Sequence, residues 1–184
     1  MDIRKILFRK ELKLVTLLLT AMLIATASAT VYYSLSMTST IDVQATYVYF
    51  TLGADNATAN VNLSSDNRSA QLSLEAYPNV TTTYTDPIRV INNGTTDAQV
   101  RLANVSATGS PSDFVFVNFT LMGTSQQQLN FTVVGGVWTS SGPTDWITLS
   151  AADPDTEWSI KIETKAVAGA TSGTATIEIK VDVE

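Results

Sequence analysis

Residues 30–43 read TVYYSLSMTSTIDV, a stretch in which apolar and polar side chains alternate. The apolar positions are odd-numbered and only Ser39 interrupts them: Val31, Tyr33, Leu35, Met37, Ile41 and Val43. A period of two predicts an extended strand with one apolar face. That face requires a sheet to cover it, and either the chain itself or a neighbouring copy can supply one. We predict that the neighbouring copy does so.

The segment before this strand has the three parts of a secretory signal peptide. Basic residues reach Lys13, an apolar run covers residues 14–25, and the small residues Ala27, Ser28 and Ala29 follow. We therefore predict that residues 1–29 are removed and that the mature protein is extracellular. Cleavage then leaves Thr30 as the first residue, or Ser28 if the preceding small triplet is used.

Two other interpretations of the leader remain open. An uncleaved membrane anchor requires about 20 apolar residues, and this apolar run is short for that role. A type IV pilin leader usually carries a glycine at its cleavage site, whereas the first glycine here is Gly53. With a cleaved leader, the chain contacts the membrane only before processing.

Composition limits the classes of fold and function. The chain has 184 residues, 45% of them hydrophobic, which suffices for one core. Five of the eleven basic residues precede residue 14, so the mature part is strongly acidic and offers no basic surface for nucleic acid. We divide the chain into a signal peptide (1–29), an N-terminal donor strand (30–40) and a β-sandwich domain (41–184).

Asparagine is concentrated in one motif. Eight of the ten asparagines begin an Asn-X-Ser/Thr triplet, the acceptor motif for N-linked glycans. They are Asn56, Asn62, Asn67, Asn79, Asn93, Asn104, Asn118 and Asn130. Because the chain has no cysteine and hence no disulfide, an exported surface needs another means of protection, and glycans would supply it. We predict N-linked glycans at several of these sites.

Short alternating segments continue along the rest of the chain. Examples are residues 57–63, 70–74, 158–162 and 175–183, and turn residues such as Asn92-Asn93-Gly94 and Gly135-Gly136 separate many of these segments. We expect Pro87 to separate two short strands. Roughly ten short strands joined by turns predict an all-β fold, an antiparallel β-sandwich, with the first strand exchanged between copies.

The residues of familiar catalytic sites are missing from the sequence. The chain contains no histidine and no cysteine, which excludes Ser-His-Asp and Cys-His nucleophilic systems and histidine-ligated zinc. The acidic stretch 153–157 offers carboxylates to a calcium ion, but a solvated turn explains the same residues, and we favour the turn. We predict no enzymatic activity, no catalytic residue, no cofactor and no metal site.

The run YPNVTTTYTDPIRVINNGTTDAQVRL, residues 77–102, resembles a segment of the TasA and camelysin family. There a turn containing proline leads to a strand, an Asn-Asn-Gly-Thr turn and a returning strand. A signal peptide followed directly by a strand is similar to the plan of archaeal bundling-pilus and thread-type subunits. The resemblance implies a jelly-roll-like sandwich whose N-terminal strand inserts into the next subunit, giving fibres that bundle in a biofilm matrix.

Together these observations predict a structural subunit of an extracellular filament that forms a head-to-tail homopolymer by donor-strand complementation. Four residues of the first strand are expected to lie in a groove of the adjacent subunit: Val31, Tyr33, Leu35 and Met37. The alternative is a monomeric or membrane-anchored glycosylated surface domain that binds carbohydrate or an S-layer neighbour. Pairing of the first strand within its own sandwich would favour that alternative.

Overall fold

β-Strands account for most of the computed structural model, which describes residues 35–43, 47–152, 156–171 and 173–184. All of them fall in one unit, Tyr33–Glu184. The strands are β1 (Leu35–Val43), β2 (Val48–Leu52), β3 (Asn62–Leu63), β4 (Ser69–Ala76), β5 (Thr81–Asn92), β6 (Ala98–Gly109), β7 (Phe114–Met122), β8 (Gln126–Val134), β9 (Val137–Ser140), β10 (Ile147–Leu149), β11 (Glu157–Ala166) and β12 (Thr174–Val183). A short 3-10 helix, Pro111–Asp113, precedes β7.

The strands form two six-stranded sheets that pack face to face. Sheet A has the order β10-β6-β12-β1-β4-β3, and sheet B has the order β2-β5-β11-β7-β8-β9. Strand pairing is antiparallel except between β1 and β12, among the strands described. The predicted all-β sandwich is confirmed.

The alternation seen in the sequence explains the core. In β12, every second residue from Ala175 to Val181 is buried, and in β11 Trp158, Ile160 and Ile162 are buried in the same way. Successive side chains of a strand point to opposite faces, so each strand contributes one apolar row. These rows meet between the sheets, and Phe119 and Phe131 contact edge to face there.

The first strand lies inside the chain's own sandwich. β1 occupies the fourth position of sheet A, parallel to β12 on one side and antiparallel to β4 on the other. Leu35 and Met37 are buried in this core, at 0% and 1% exposure. β1 also continues to Val43, past the predicted domain boundary at residue 40.

One predicted strand is wrong. Residues 57–61 alternate in sequence, yet residues 54–60 form turns, and only Asn62 and Leu63 make a short strand. Backbone hydrogen bonds stabilise the turns, such as the one from the Ala59 N–H to the Asp55 carbonyl. Asn60 adopts a positive φ of 45°, which asparagine tolerates better than most residues. Local hydrogen bonding therefore prevails over the alternation of small alanines.

The expected break at Pro87 is also absent. β5 runs continuously from Thr81 to Asn92, and Pro87 lies where the register between β5 and β11 shifts. Proline is tolerated at such an irregularity because no ladder hydrogen bond is required of it. The turn after β5 is longer than predicted, since β6 begins only at Ala98.

Candidate functional site

β1 is the element on which the predicted function depends. It lies between β12 and β4 in sheet A, and the position between these two strands is called its seat below. On one side, Met37 is in register with Ala175 of β12, and on the other it is in register with Leu74 of β4. All three side chains are buried. Without β1, sheet A would separate into β10-β6-β12 and β4-β3, leaving two unpaired strand edges that face each other across an apolar floor. Alternation within single strands does not indicate which strands flank β1.

The four predicted donor residues divide into two pairs. Leu35 and Met37 lie in the seat just described. Val31 and Tyr33 lie outside the described residues. Of the four predicted donor residues, the structure therefore places Leu35 and Met37 beside β4 and β12.

The seat also contains a polar residue that faces the core. Ser39, which interrupts the apolar row of β1, is fully buried, and its Oγ has no hydrogen-bond partner among the described residues. On the outer face of β1, burial and the nearby carboxylates of Glu178 and Asp66 raise the pKa of Asp42 above its usual range. β1 thus carries two polar groups whose surroundings are unfavourable.

None of the eight predicted glycosylation sites is buried. Asn62, Asn79, Asn93 and Asn104 are exposed, whereas Asn56, Asn67, Asn118 and Asn130 are half-buried. A glycan needs room at the asparagine side chain, so these placements are compatible with modification. Asn67 and Asn79 lie in turns and have positive φ angles of 56° and 59°.

Two of these asparagines face each other directly. Asn118 of β7 and Asn130 of β8 are register partners on the outer face of sheet B. Directly opposed residues in an antiparallel pair have Cβ atoms about 4.5–5.5 Å apart. Two glycans attached at such a short distance would overlap, so one occupied site hinders modification of the other.

A charged cluster joins β5 to β11 near the acidic stretch 153–157. The Arg89 guanidinium contacts the Asp86 carboxylate and the Glu157 carboxylate, each at 2.6 Å. Hydrogen bonds from Arg89 lower the pKa of Asp86 to about 2. Residues 153–155 of the acidic stretch, for which the sequence favours a turn over a calcium site, lie outside the described residues, and Glu157 is engaged with Arg89. Within the described part of the chain, acidic side chains do not form a group of three suited to a metal ion.

Among the described residues, no helix has the length and hydropathy needed to cross a membrane. Buried polar residues stabilise the fold where they form hydrogen bonds. For example, the Asn92 side-chain amide donates to the carbonyls of Thr96 and Leu149, at 2.9 and 3.1 Å.

Comparison of the sequence with known proteins found no relative. No protein-family model matches the chain, and no curated protein matches it either. The resemblance of residues 77–102 to the TasA and camelysin family therefore stays a prediction. Function must be argued from the fold and from the placement of β1 and the asparagines.

Proposed function

We propose that this chain is a non-enzymatic structural subunit of an extracellular filament, joined to its neighbour by exchange of β1. The observation that carries the proposal is the position of β1. It is the first strand of the described domain, yet it fills a central place in sheet A between β12 and β4. An N-terminal strand can leave such a place without threading any other part of the chain through the fold.

Exchange would preserve the contacts that β1 makes within its own chain. If β1 of one copy enters the seat of the next, Met37 still packs between Ala175 and Leu74, now of another chain. Replacing an element by its identical counterpart has a low energetic cost, because the contacts are the same. A contact made head to tail does not close on itself unless the rotation closes a ring, so it generates a filament.

The surface of the domain fits an exported location. The eight acceptor asparagines are exposed or half-buried, and glycans on several of them would cover turns and part of each sheet. Removal of residues 1–29 would leave only a few residues before β1, which frees the strand at its N-terminal end. The partners we propose are copies of the same chain and N-linked glycans.

The closed position of β1 favours a second candidate. Because the chain itself covers the apolar face of β1, a single copy already forms a complete sandwich. On this proposal the protein is a monomeric or membrane-anchored glycosylated surface domain that binds carbohydrate or an S-layer neighbour. The two candidates differ in whether β1 pairs within one chain or between two.

A cysteine pair can distinguish them, since the chain has no cysteine of its own. Thr38 of β1 and Ser73 of β4 are register partners, and the Ser73 N–H donates away from β1, to the Ala59 carbonyl. Side chains at such non-hydrogen-bonded positions lie closest together, which suits a disulfide. The variant with Thr38→Cys and Ser73→Cys should therefore be oxidised in the native extracellular fraction and run on a non-reducing denaturing gel.

Exchange predicts a ladder of covalent multimers that collapses on reduction. The matched control joins Thr83 of β5 to Glu163 of β11, a register pair that exchange of β1 does not divide, by the same two substitutions to cysteine. That control should give only monomers on the same gel. If the Thr38 and Ser73 variant also gives only internally cross-linked monomers, the filament proposal is wrong and the surface domain replaces it.

A further inference from the structure

The sandwich is open along one side, where the second half of β6 faces β9 of the other sheet. β10 pairs with only Ala98–Val100 of β6, and Thr144 hydrogen-bonds with Leu102. Beyond Leu102, none of the described strands pairs with β6 on this side. The edge strand β9 covers only the last part of β8. Two unpaired strand edges therefore border one groove.

This groove has a volume of about 170 Å³, several times the roughly 30 Å³ that a water molecule occupies in the liquid. Its lining combines backbone and hydroxyl groups with two aromatic rings. It consists of Asn104, Val105, Ser106, Ala107, Phe131, Trp138, Thr139 and Ser140. The groove is thus mainly polar, with an aromatic component.

Asn104 points toward the space between the sheets. Its register partner in β12 is Ile179, which is fully buried, and directly paired residues project on the same face of a sheet. The register between β6 and β12 shifts immediately after Asn104, leaving Val105 without a partner and 49% exposed. An acceptor asparagine, with Ser106 of its own triplet, therefore lines the groove.

Trp138 supplies an unsatisfied group beside it. The indole ring is half-buried and packs against Phe114, with ring centroids 5.7 Å apart. Its Nε1 is buried and has no hydrogen-bond acceptor among the described residues. A buried donor without a partner is destabilising, so a hydrogen-bond acceptor that reaches Nε1 from the groove would be stabilising.

We propose that the glycan attached to Asn104 folds back into this groove and packs against Trp138. The occupant is the first part of an N-linked oligosaccharide on the same chain. Sugar hydroxyls can hydrogen-bond with the free edge of β6 and with Thr139, and the apolar face of a sugar ring can cover the exposed part of the indole. Covalent attachment at the rim keeps the sugar at high effective concentration.

The inference depends on the glycosylation included in the proposed function, but not on filament formation. It gives one of the eight sites a role that the others do not share: the glycan closes an open edge of the sandwich. Unpaired edge strands tend to pair with other chains, and a bulky hydrophilic group on the edge prevents this.

The experiment compares the secreted glycoprotein with its Asn104→Gln variant, using Asn62→Gln as the matched control. Asn62 is an exposed acceptor on the edge strand β3, at the opposite end of sheet A. Thermal unfolding gives the first readout. We expect Asn104→Gln to lower Tm by about 2–4 °C and Asn62→Gln to leave it within a degree of wild type.

The second readout is the indole N–H signal of Trp138 in an NMR spectrum, assigned with Trp138→Phe. Asn104→Gln should shift this signal and increase its exchange with water, whereas Asn62→Gln should not. In a Trp138→Phe background, Asn104→Gln should have a smaller effect on Tm, because the two groups act together.

Peptide mass spectrometry of the secreted protein reports the occupancy of Asn104 directly. An unmodified Asn104 overturns the inference, as does an Asn104→Gln variant whose Tm and indole signal match those of Asn62→Gln. Loss of filaments, by contrast, bears only on the proposed function. The measurements on Tm and on the indole signal use dissociated or monomeric protein and are unaffected by it.

Discussion

Truncation of Leu35 tests the seat of β1 quantitatively. Leu35 is fully buried at the start of β1, in register with Ala76 of β4. Leucine-to-alanine substitutions in protein cores lower the free energy of unfolding by about 2–5 kcal/mol, because apolar contact is lost and a cavity remains. We expect Leu35→Ala to fall in that range, since a central strand has little freedom to collapse into the space.

Thr38→Ala is the matched control on the same strand. Thr38 lies on the outer face of β1 and is half-buried, so its truncation should change the free energy of unfolding by no more than about 0.5 kcal/mol. Urea unfolding of the mature chain, followed by tryptophan fluorescence, measures both variants. A change below about 0.5 kcal/mol for Leu35→Ala would refute the placement of this side chain in the core.

The same titration repeated at two protein concentrations adds a second result. If β1 pairs within one chain, the urea midpoint is independent of concentration. If β1 is donated to a neighbour, unfolding also separates subunits and the midpoint rises with concentration. Leu35→Ala is destabilising in both cases, so the concentration dependence alone distinguishes the closed from the exchanged arrangement.

Four other outcomes are expected. Ser39→Ala should raise the free energy of unfolding by about 1 kcal/mol in urea titrations, because it removes a buried hydroxyl that has no hydrogen-bond partner in the described part of the chain. Asp86 has a folded pKa of about 2, below its unfolded value, so its stabilising effect is present above pH 4 and is lost between about pH 4 and 2; Asp86→Asn should flatten that part of a stability curve measured against pH. Intact-mass analysis should find at most one glycan on Asn118 and Asn130 in any one molecule, and Asn118→Gln should increase occupancy at Asn130. Mass spectrometry of the extracellular form should recover no peptide from residues 1–29; an intact leader would contradict cleavage.

The sequence predicts the parts of this fold that depend on local alternation. The apolar rows of β1 and β12 follow directly from every second residue, as in Ala175, Ile177 and Ile179. At residues 57–61 the alternation of alanines does not predict the structure correctly. Small side chains gain little from burial in a sheet, so hydrogen bonds within the turns are favoured over strand pairing. Proline at residue 87 is accommodated by a register shift that depends on the partner strand.

The arrangement of strands could not be predicted in the same way. Whether β1 pairs with β4 and β12 depends on contacts between residues far apart in sequence, and periodicity contains no information about partners. The candidate groove at Asn104 was also missed, because a triplet motif marks an asparagine without showing the face on which it lies. An exposed polar residue in register with a buried isoleucine is visible only in the paired sheet.

The parallel pair of β1 and β12 has a consequence for how the protein is made. If the chain is exported as proposed, β1 leaves the translocation channel before the other described strands, and its partner β12 leaves after them. Contacts between the two ends of a chain form slowly, because a long loop must close first. Until β12 is available, β1 can pair on only one side, with β4. Under the proposed filament function, β1 would pair with β12 of its own chain or be donated to a neighbour only after export, and the local concentration of newly exported copies would influence which pairing forms.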